Sequence, residues 1–310
     1  MSPSVLGFGE LLVDLIETPV GWVPQPGGAP ANVICALASW GHTTALVTAL
    51  GADVSGEMLS ALLQRRGVDL RGVQQHPSAP TRRVEVQRDA GGDRRFGGFE
   101  GRDTREFADA HIQAAAIPEA LFEGLRLLVC GTIPLAYPES AAALAHCLER
   151  ATAVGAEVLL DVNWRPMFWP EPAEAPERIV PLLARVQWLK LAREEAEWLF
   201  ATADSQAIAR DYPHLQGVLI TDGAKGCRWW LAGFSGETPA FRVRAIDTTG
   251  AGDSFVAGFI HRLLTDRAAT LADPAAAIRW ASAAGALTTR KEGAIAAQPT
   301  LDRIAAFLEE

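Results

Sequence analysis

Cysteine, an excess of positive charge and long apolar runs are all scarce in this chain. Its four cysteines, Cys35, Cys130, Cys147 and Cys227, lie far apart among apolar neighbours, and no two form a Cys-x-x-Cys pair. That argues against a thiolate metal site or a disulfide framework and reads as reduced core thiols. A formal net charge of −9 disfavours nucleic acid or an anionic membrane as the main partner, though a local pocket can still attract an anion. No uninterrupted apolar run of about 18 residues occurs, and no basic region with a cleavage site stands at the start. The expectation is a cytoplasmic protein with no nucleic-acid and no membrane partner. What is present suits an enzyme core: 310 residues, 49% hydrophobic and 21% charged, enough for one large α/β domain or two smaller ones.

One stretch organises the rest. Asp247-Thr-Thr-Gly-Ala-Gly-Asp253 leads directly into the apolar run that starts at Phe255. A glycine turn feeding a helix leaves several backbone N–H groups pointing one way, at the positive end of the helix dipole, and such ends bind anions. Asp253 adds a negative charge beside that place. A site that only bound phosphate would gain nothing from it, whereas a site moving a phosphoryl group onto a hydroxyl needs a base there. The competing reading is an acid-capped helix start.

Upstream, 4–16 reads as an apolar strand broken by Gly7 and Gly9, with Glu10 and Asp14 as carboxylates in apolar surroundings. Either both face water, or Asp14 enters a pocket and accepts hydrogen bonds from a polyol. Gly27-Gly-Ala-Pro-Ala-Asn32 is a second glycine-to-helix junction, with Pro30 suited to a first turn and Asn32 facing outward as a ligand candidate. In 81–88, Val84 and Val86 alternate with Arg83, Glu85 and Gln87; Ala90-Gly-Gly-Asp93 makes a turn, and 94–99 returns. A hairpin buried on one face does not fit a sheet covered on both. It predicts a small separate sheet, a lid shared with the 10–25 region around Trp22. Arg82, Arg83, Arg94 and Arg95 read as the solvated face of that lid rather than as a phosphate-steering patch. From 107 onward strands and helices alternate, with strands at 125–131, 157–162, 187–191 and 217–222, which predicts a mostly parallel sheet covered on both faces. Ligands lie beyond the carboxyl ends of such strands. Asn163, Arg165, Lys190 and Thr221 stand at or just after those ends.

These residues together resemble the ribokinase-like, or phosphofructokinase B-type, family of carbohydrate kinases over nearly the whole chain. The resemblance rests on 247–253, on 27–32, on Gly51-Ala-Asp-Val-Ser-Gly56, on Asp161-Val-Asn-Trp-Arg165 and on Thr221-Asp-Gly-Ala-Lys-Gly226, in the family's order. It implies a ribokinase-like α/β fold: one catalytic domain over 1–310, a mostly parallel sheet with helices on both faces, and a small discontinuous β-sheet lid of about 10–27 and 81–102. It further implies Asp253 as the catalytic base, with the amides of Gly250, Ala251 and Gly252 as the anion hole and Arg165 neutralising transition-state charge. Asp14, Gly28 and Asn32 would serve the sugar, and Asn163, Lys190, Thr221, Gly223, Gly226 and Gly285 the nucleotide. Glu194 and Glu197 stand where the family often has Asn-x-x-Glu, so that Glu197 would place Mg2+ through water. Asp247 and Thr249 match a monovalent-cation site, K+ being the ion implied.

The implied reaction is ATP-dependent phosphorylation of a small sugar. Fructose is favoured by Pro30 and by the Asp-x-Asn-x-Arg strand end, with 2-keto-3-deoxygluconate or another small sugar as alternatives. The implied partners are the sugar and ATP; the lid either covers the sugar alone or also pairs with a second copy to form a homodimer. A catalytically silent relative acting as a binding partner would be expected to have lost the base or the anion hole, and Asp253, Gly250 and Gly252 are all present. A dinucleotide dehydrogenase is disfavoured, because Gly7-Phe-Gly9 lacks the third glycine and the helix opening of that fingerprint.

Overall fold

In the computed structural model, residues 2–19, 21–88 and 94–310 are described. The turn expected at 90–93 and the side chains of Arg94 and Arg95 lie outside what is described. Two sheets organise these residues. The apolar run at the start divides between them: β1 (Val5–Phe8) joins the large sheet, and β2 (Leu12–Thr18) and β3 (Gly21–Gly27) form an antiparallel pair in the small one. The chain then returns through α1 (Ala29–Ser39), β4 (Thr44–Gly51), α2 (Val54–Arg65) and the short β5 (Val73–His76). It leaves again for β6 (Arg83–Arg88) and β7 (Arg94–Gly98), which complete the small sheet in the order β3-β2-β6-β7.

The rest is the expected alternation: β8 (Leu127–Cys130), α3 (Pro138–Ala153), β9 (Glu157–Asp161), α4 (Ala175–Leu182), β10 (Trp188–Ala192), α5 (Arg193–Phe200), α6 (Ser205–Asp211) and β11 (Gly217–Thr221). An antiparallel pair, β12 (Cys227–Leu231) and β13 (Phe234–Thr238), extends one edge, and α7 (Ala251–Thr265), α8 (Arg267–Ala272), α9 (Pro274–Thr288) and α10 (Leu301–Glu309) follow. The large sheet runs β13-β12-β11-β10-β9-β8-β1-β4-β5, parallel from β11 to β5. This is the ribokinase-like fold anticipated from the sequence.

Both faces of the large sheet are covered. Along β8, Leu128 and Cys130 pack into one core with α3 and α4, while Leu127 and Val129 face the other, which holds α1, α7 and α9. Strands buried on both sides can be apolar throughout, which is why they read as unbroken runs in sequence. α7 and α9 approach closely because Gly258 is small; a Cβ there would sit 2.9 Å from the Ala281 Cα.

Arg82 departs from expectation. It is not on a solvated lid face. Its side chain is fully buried, with Nε and Nη2 on the Asp109 carboxylate at 2.7–3.0 Å and Nη2 also on the Tyr137 hydroxyl at 3.1 Å. The rings of Phe99, Phe107, Tyr137 and Phe168 surround the guanidinium at 4.6–5.3 Å. A buried charge is tolerable only when so paired. Arg83 behaves as expected, half exposed and paired with Glu100.

Candidate active site

The heads of α1 and α7 meet beyond the carboxyl ends of the parallel strands. α7 starts at Gly250, whose φ of +73° is a left-handed conformation that glycine adopts without strain. By helix geometry its first-turn amides lack intrahelical acceptors; that of Ala251 leans back onto the Thr248 carbonyl at 3.3 Å. Asp253, in this first turn, accepts a 2.7 Å hydrogen bond from Asn32 Nδ2. Asn32 is therefore not turned outward. It is buried, and its Oδ1 has no protein partner. Asp253 keeps some surface open while protein closes round the rest, and burial pushes its pKa up to about 6. The Asn32 bond opposes that rise, Asp161 adds to it, and Lys190 and Arg165 draw it back.

Lys190 does not sit with the nucleotide-loop residues. It lies within β10, its Nζ donating to both Asp161 oxygens at 2.9 and 3.2 Å, and a Cβ at Gly252 would be 3.5 Å from it. The ammonium therefore stands against the turn that opens α7. Burial opposes its charge, but Asp161 and Glu195 outweigh that and hold its pKa above the usual value.

Glu197 is the clearest displacement. It faces solvent with its carboxylate on Arg193 at 2.8 Å, and the neighbouring Glu194 is also exposed. The carboxylate that reaches this cluster is Glu195, buried, accepting from the Trp164 amide at 2.5 Å and the Ala192 amide at 2.6 Å. Burial lifts its pKa against the pull of Lys190. Glu195 is the third residue of α5 and bonds back to the residue before the helix. With Ala192 where a capping box has Ser or Thr, only a Glu at the third helical position marks it in sequence. The Trp164 amide it accepts follows Asn163, a non-glycine residue at φ +41°, which turns the chain sharply after β9. Arg165 turns its Nη1 onto the Trp164 carbonyl at 2.8 Å.

A cleft of about 390 Å³ adjoins the head of α7 and gathers Thr221, Gly223, Gly226, Ala251, Gly252 and Gly285. Its apolar wall includes Phe241, Val243, Ala245 and, next to Gly285, Ala286. Asp247 is buried, with Oδ1 accepting from the Thr249 amide and hydroxyl at 3.0 and 2.6 Å and Oδ2 from the Gly293 amide at 3.0 Å. Asp14, on an inner strand of the small sheet, is also buried; Gly27, diagonally across on β3, leaves it room, since a Cβ there would lie 2.8 Å from Oδ2. Gly28 adjoins the Glu10 backbone and precedes α1.

An α/β sheet carrying a separate small sheet, with an acid at a glycine-led helix head beside an apolar cleft, defines a ribokinase-like phosphotransferase. The chain belongs to the pfkB family of carbohydrate kinases, whose pattern it matches over residues 3–301. It is 33% identical to fructokinase-2 of Solanum habrochaites, with 99% of this chain and 97% of that protein covered. The structure of a fructokinase from Xylella fastidiosa with bound ATP superposes with a TM-score of 0.89 at 29% identity, over 99% of this chain and 98% of that one. A double mutant of the Vibrio cholerae O395 fructokinase, with fructose, ADP and potassium ion bound, superposes with a TM-score of 0.85 at 28% identity, over 99% of each chain. The protein is a carbohydrate kinase, and no helix among the described residues is long and apolar enough to cross a membrane.

Proposed function

We propose that this kinase transfers the γ-phosphoryl group of ATP to the 6-hydroxyl of D-fructose. The observation that carries the reading is the Asn32–Asp253 pair at 2.7 Å beside the glycine turn of α7. Asp253 accepts the hydroxyl proton as the sugar oxygen bonds to the γ-phosphorus. The bond to the β–γ bridging oxygen breaks, and ADP departs with that electron pair. Amides at Gly250, Ala251 and Gly252 receive the developing charge, aided by Lys190 and Arg165. Asn32, through its unpartnered Oδ1, and Asp14 accept from sugar hydroxyls, with Gly28 allowing close approach. ATP lies in the cleft at Thr221, Gly223, Gly226 and Gly285, its phosphates toward Asn163.

No cluster of three or more metal-ligating side chains occurs among the described residues. That fits a Mg2+ ion carried mainly by phosphates and water. Both Glu195 oxygens already accept from backbone amides, so that residue, in place of Glu197, would reach the ion through water. Such an ion would neutralise phosphate charge. Asp247 and Thr249 would shape the loop around a monovalent cation, K+ by analogy with the Vibrio protein. The small sheet closes over the sugar and excludes water, the competing acceptor. Its edge strand exposes Trp22 and Val23 at 44% and 40%, the surface through which two copies would pair.

A substrate panel tests the reading. ADP release with ATP and fructose, ribose, 2-keto-3-deoxygluconate, glucose or adenosine should give kcat/KM at least about tenfold higher for fructose than for the others. Turnover confined to another sugar would keep the kinase and discard fructose; no turnover with any would favour a silent relative.

A further inference from the structure

Glu10 is a buried carboxylate that this chemistry leaves unused. It stands in the connector that carries the chain from β1 to the small sheet, and is only 3% exposed. The returning connector, before α1, touches it: a Cβ on Gly28, at φ +109°, would meet the Glu10 carbonyl oxygen at 2.4 Å. Glu10 Oε1 accepts the N–H of Ala29, the first residue of α1, at 3.0 Å. Gly28 has no side chain to cap that helix, so a carboxylate 19 residues upstream takes the capping role. Within the same turn, the Asn32 amide donates to the Gly28 carbonyl at 2.9 Å and Asn32 Nδ2 to Asp253.

We infer that Glu10 is a positioning residue, a clasp that fastens the hinge of the small sheet to the head of α1 and so holds Asn32 on Asp253. The inference rests on the reading of Asp253 as the base. It also explains the second carboxyl oxygen. Oε2 is buried without a protein partner, a costlier place for a full charge than for a neutral acid. Burial pushes the Glu10 pKa up to about 7; its own amide and that of Ala29 oppose this, while Asp109 from the 108–111 turn and Asp253 from α7 reinforce it. Asp109 is itself paired with Arg82. Because the folded-state pKa is raised, the neutral acid is the form the fold favours. That contribution is present at low pH and is lost as pH rises through about 7. Ionisation then also sets a second negative charge near Asp253. The Ala29 bond persists, and it is this second charge, facing the phosphates that Asp253 serves, that should impose a decline in sugar turnover above that pH.

The test compares the wild-type chain with Glu10→Ala and Glu10→Gln, by kinetics with fructose and ATP and by hydrogen exchange of the amides at 28–33. Glu10→Ala should raise the fructose KM about tenfold or more, leave the ATP KM within about twofold, and speed exchange over 28–33. In Glu10→Gln the amide oxygen still accepts from Ala29 and no charge can form. It should keep the fructose KM within about threefold of wild type and lose the alkaline decline. Parental KM and exchange in Glu10→Ala, or a Glu10→Gln as defective as Glu10→Ala, would overturn the clasp. A Glu10→Gln that keeps the alkaline decline would overturn the protonation part. Should Glu10→Ala fail to fold, Glu10→Gln against wild type still decides. If wild type turns over no sugar, the kinase reading of the site fails, and the exchange comparison continues to judge the clasp alone.

Discussion

Asp253→Asn is expected to lower kcat with fructose by about 10²–10⁴-fold while the KM for fructose and for ATP move by less than about threefold. The new amide oxygen can accept the same bond from Asn32, so shape and contacts persist and only the capacity to take a proton is lost. The pH profile provides an independent readout. With a pKa pushed up to about 6 by burial, the base form grows in as pH rises, so kcat/KM should climb through that pH and then level until Glu10 begins to ionise. The variant should lack the climb. Stability separates lost chemistry from lost fold. A carboxyl whose pKa is raised by folding stabilises the fold in its acid form, and that contribution fades as pH rises through about 6. Asp253→Asn should therefore melt no lower than the parent at pH 8. Near-parental ADP release by a folded Asp253→Asn protein would remove Asp253 from the role of base.

The second large effect falls on stability. Arg82→Ala would leave Asp109 buried, its side chain only 3% exposed, without its cation. Breaking a buried pair from one side costs about 3–5 kcal/mol, because the remaining charge is neither paired nor hydrated. At ~2–4 °C per kcal/mol for a large domain, the melting temperature should fall by roughly 6–20 °C. The loss would be felt at the hinge, where the Arg82 carbonyl accepts from the Val13 amide at 3.0 Å and joins the two segments entering the small sheet. Replacing both partners with apolar residues, Arg82→Met with Asp109→Leu, should recover most of the loss, since no charge is then stranded among the four rings. Thermal unfolding of the three proteins decides it; an Arg82→Ala protein melting within about 2 °C of the parent would mean that water reaches Asp109 and the pair is not a buried one.

Legibility followed the range of the forces involved. The alternation of strands and helices, the separate small sheet and the glycine-led helix heads could be read along the chain, because burial on two faces, period-2 patterning and turn chemistry act over a few residues. The Asp253 carboxylate stood out for the same reason, as an unexplained charge in an anion-binding turn. Arg82 could not be told apart from Arg83, since its carboxylate lies 27 residues away and its aromatic box comes from four separate places. Which of Glu195 and Glu197 is buried and which faces solvent is a matter of helix face, decided by how α5 packs against β10.

By itself, the sequence determined the ribokinase-like architecture and the presence of an acid at the head of a glycine-led helix. Only the tertiary structure decided what that acid touches. Asn32 reaches Asp253 across 221 residues, and Glu10 reaches Ala29 across the two hinge connectors. Phe241 and Ala286 come together as walls of one cleft. The reason is physical: propensity and patterning act locally, whereas the hydrogen bonds and desolvation that set a carboxylate's pKa depend on which distant backbone closes around it.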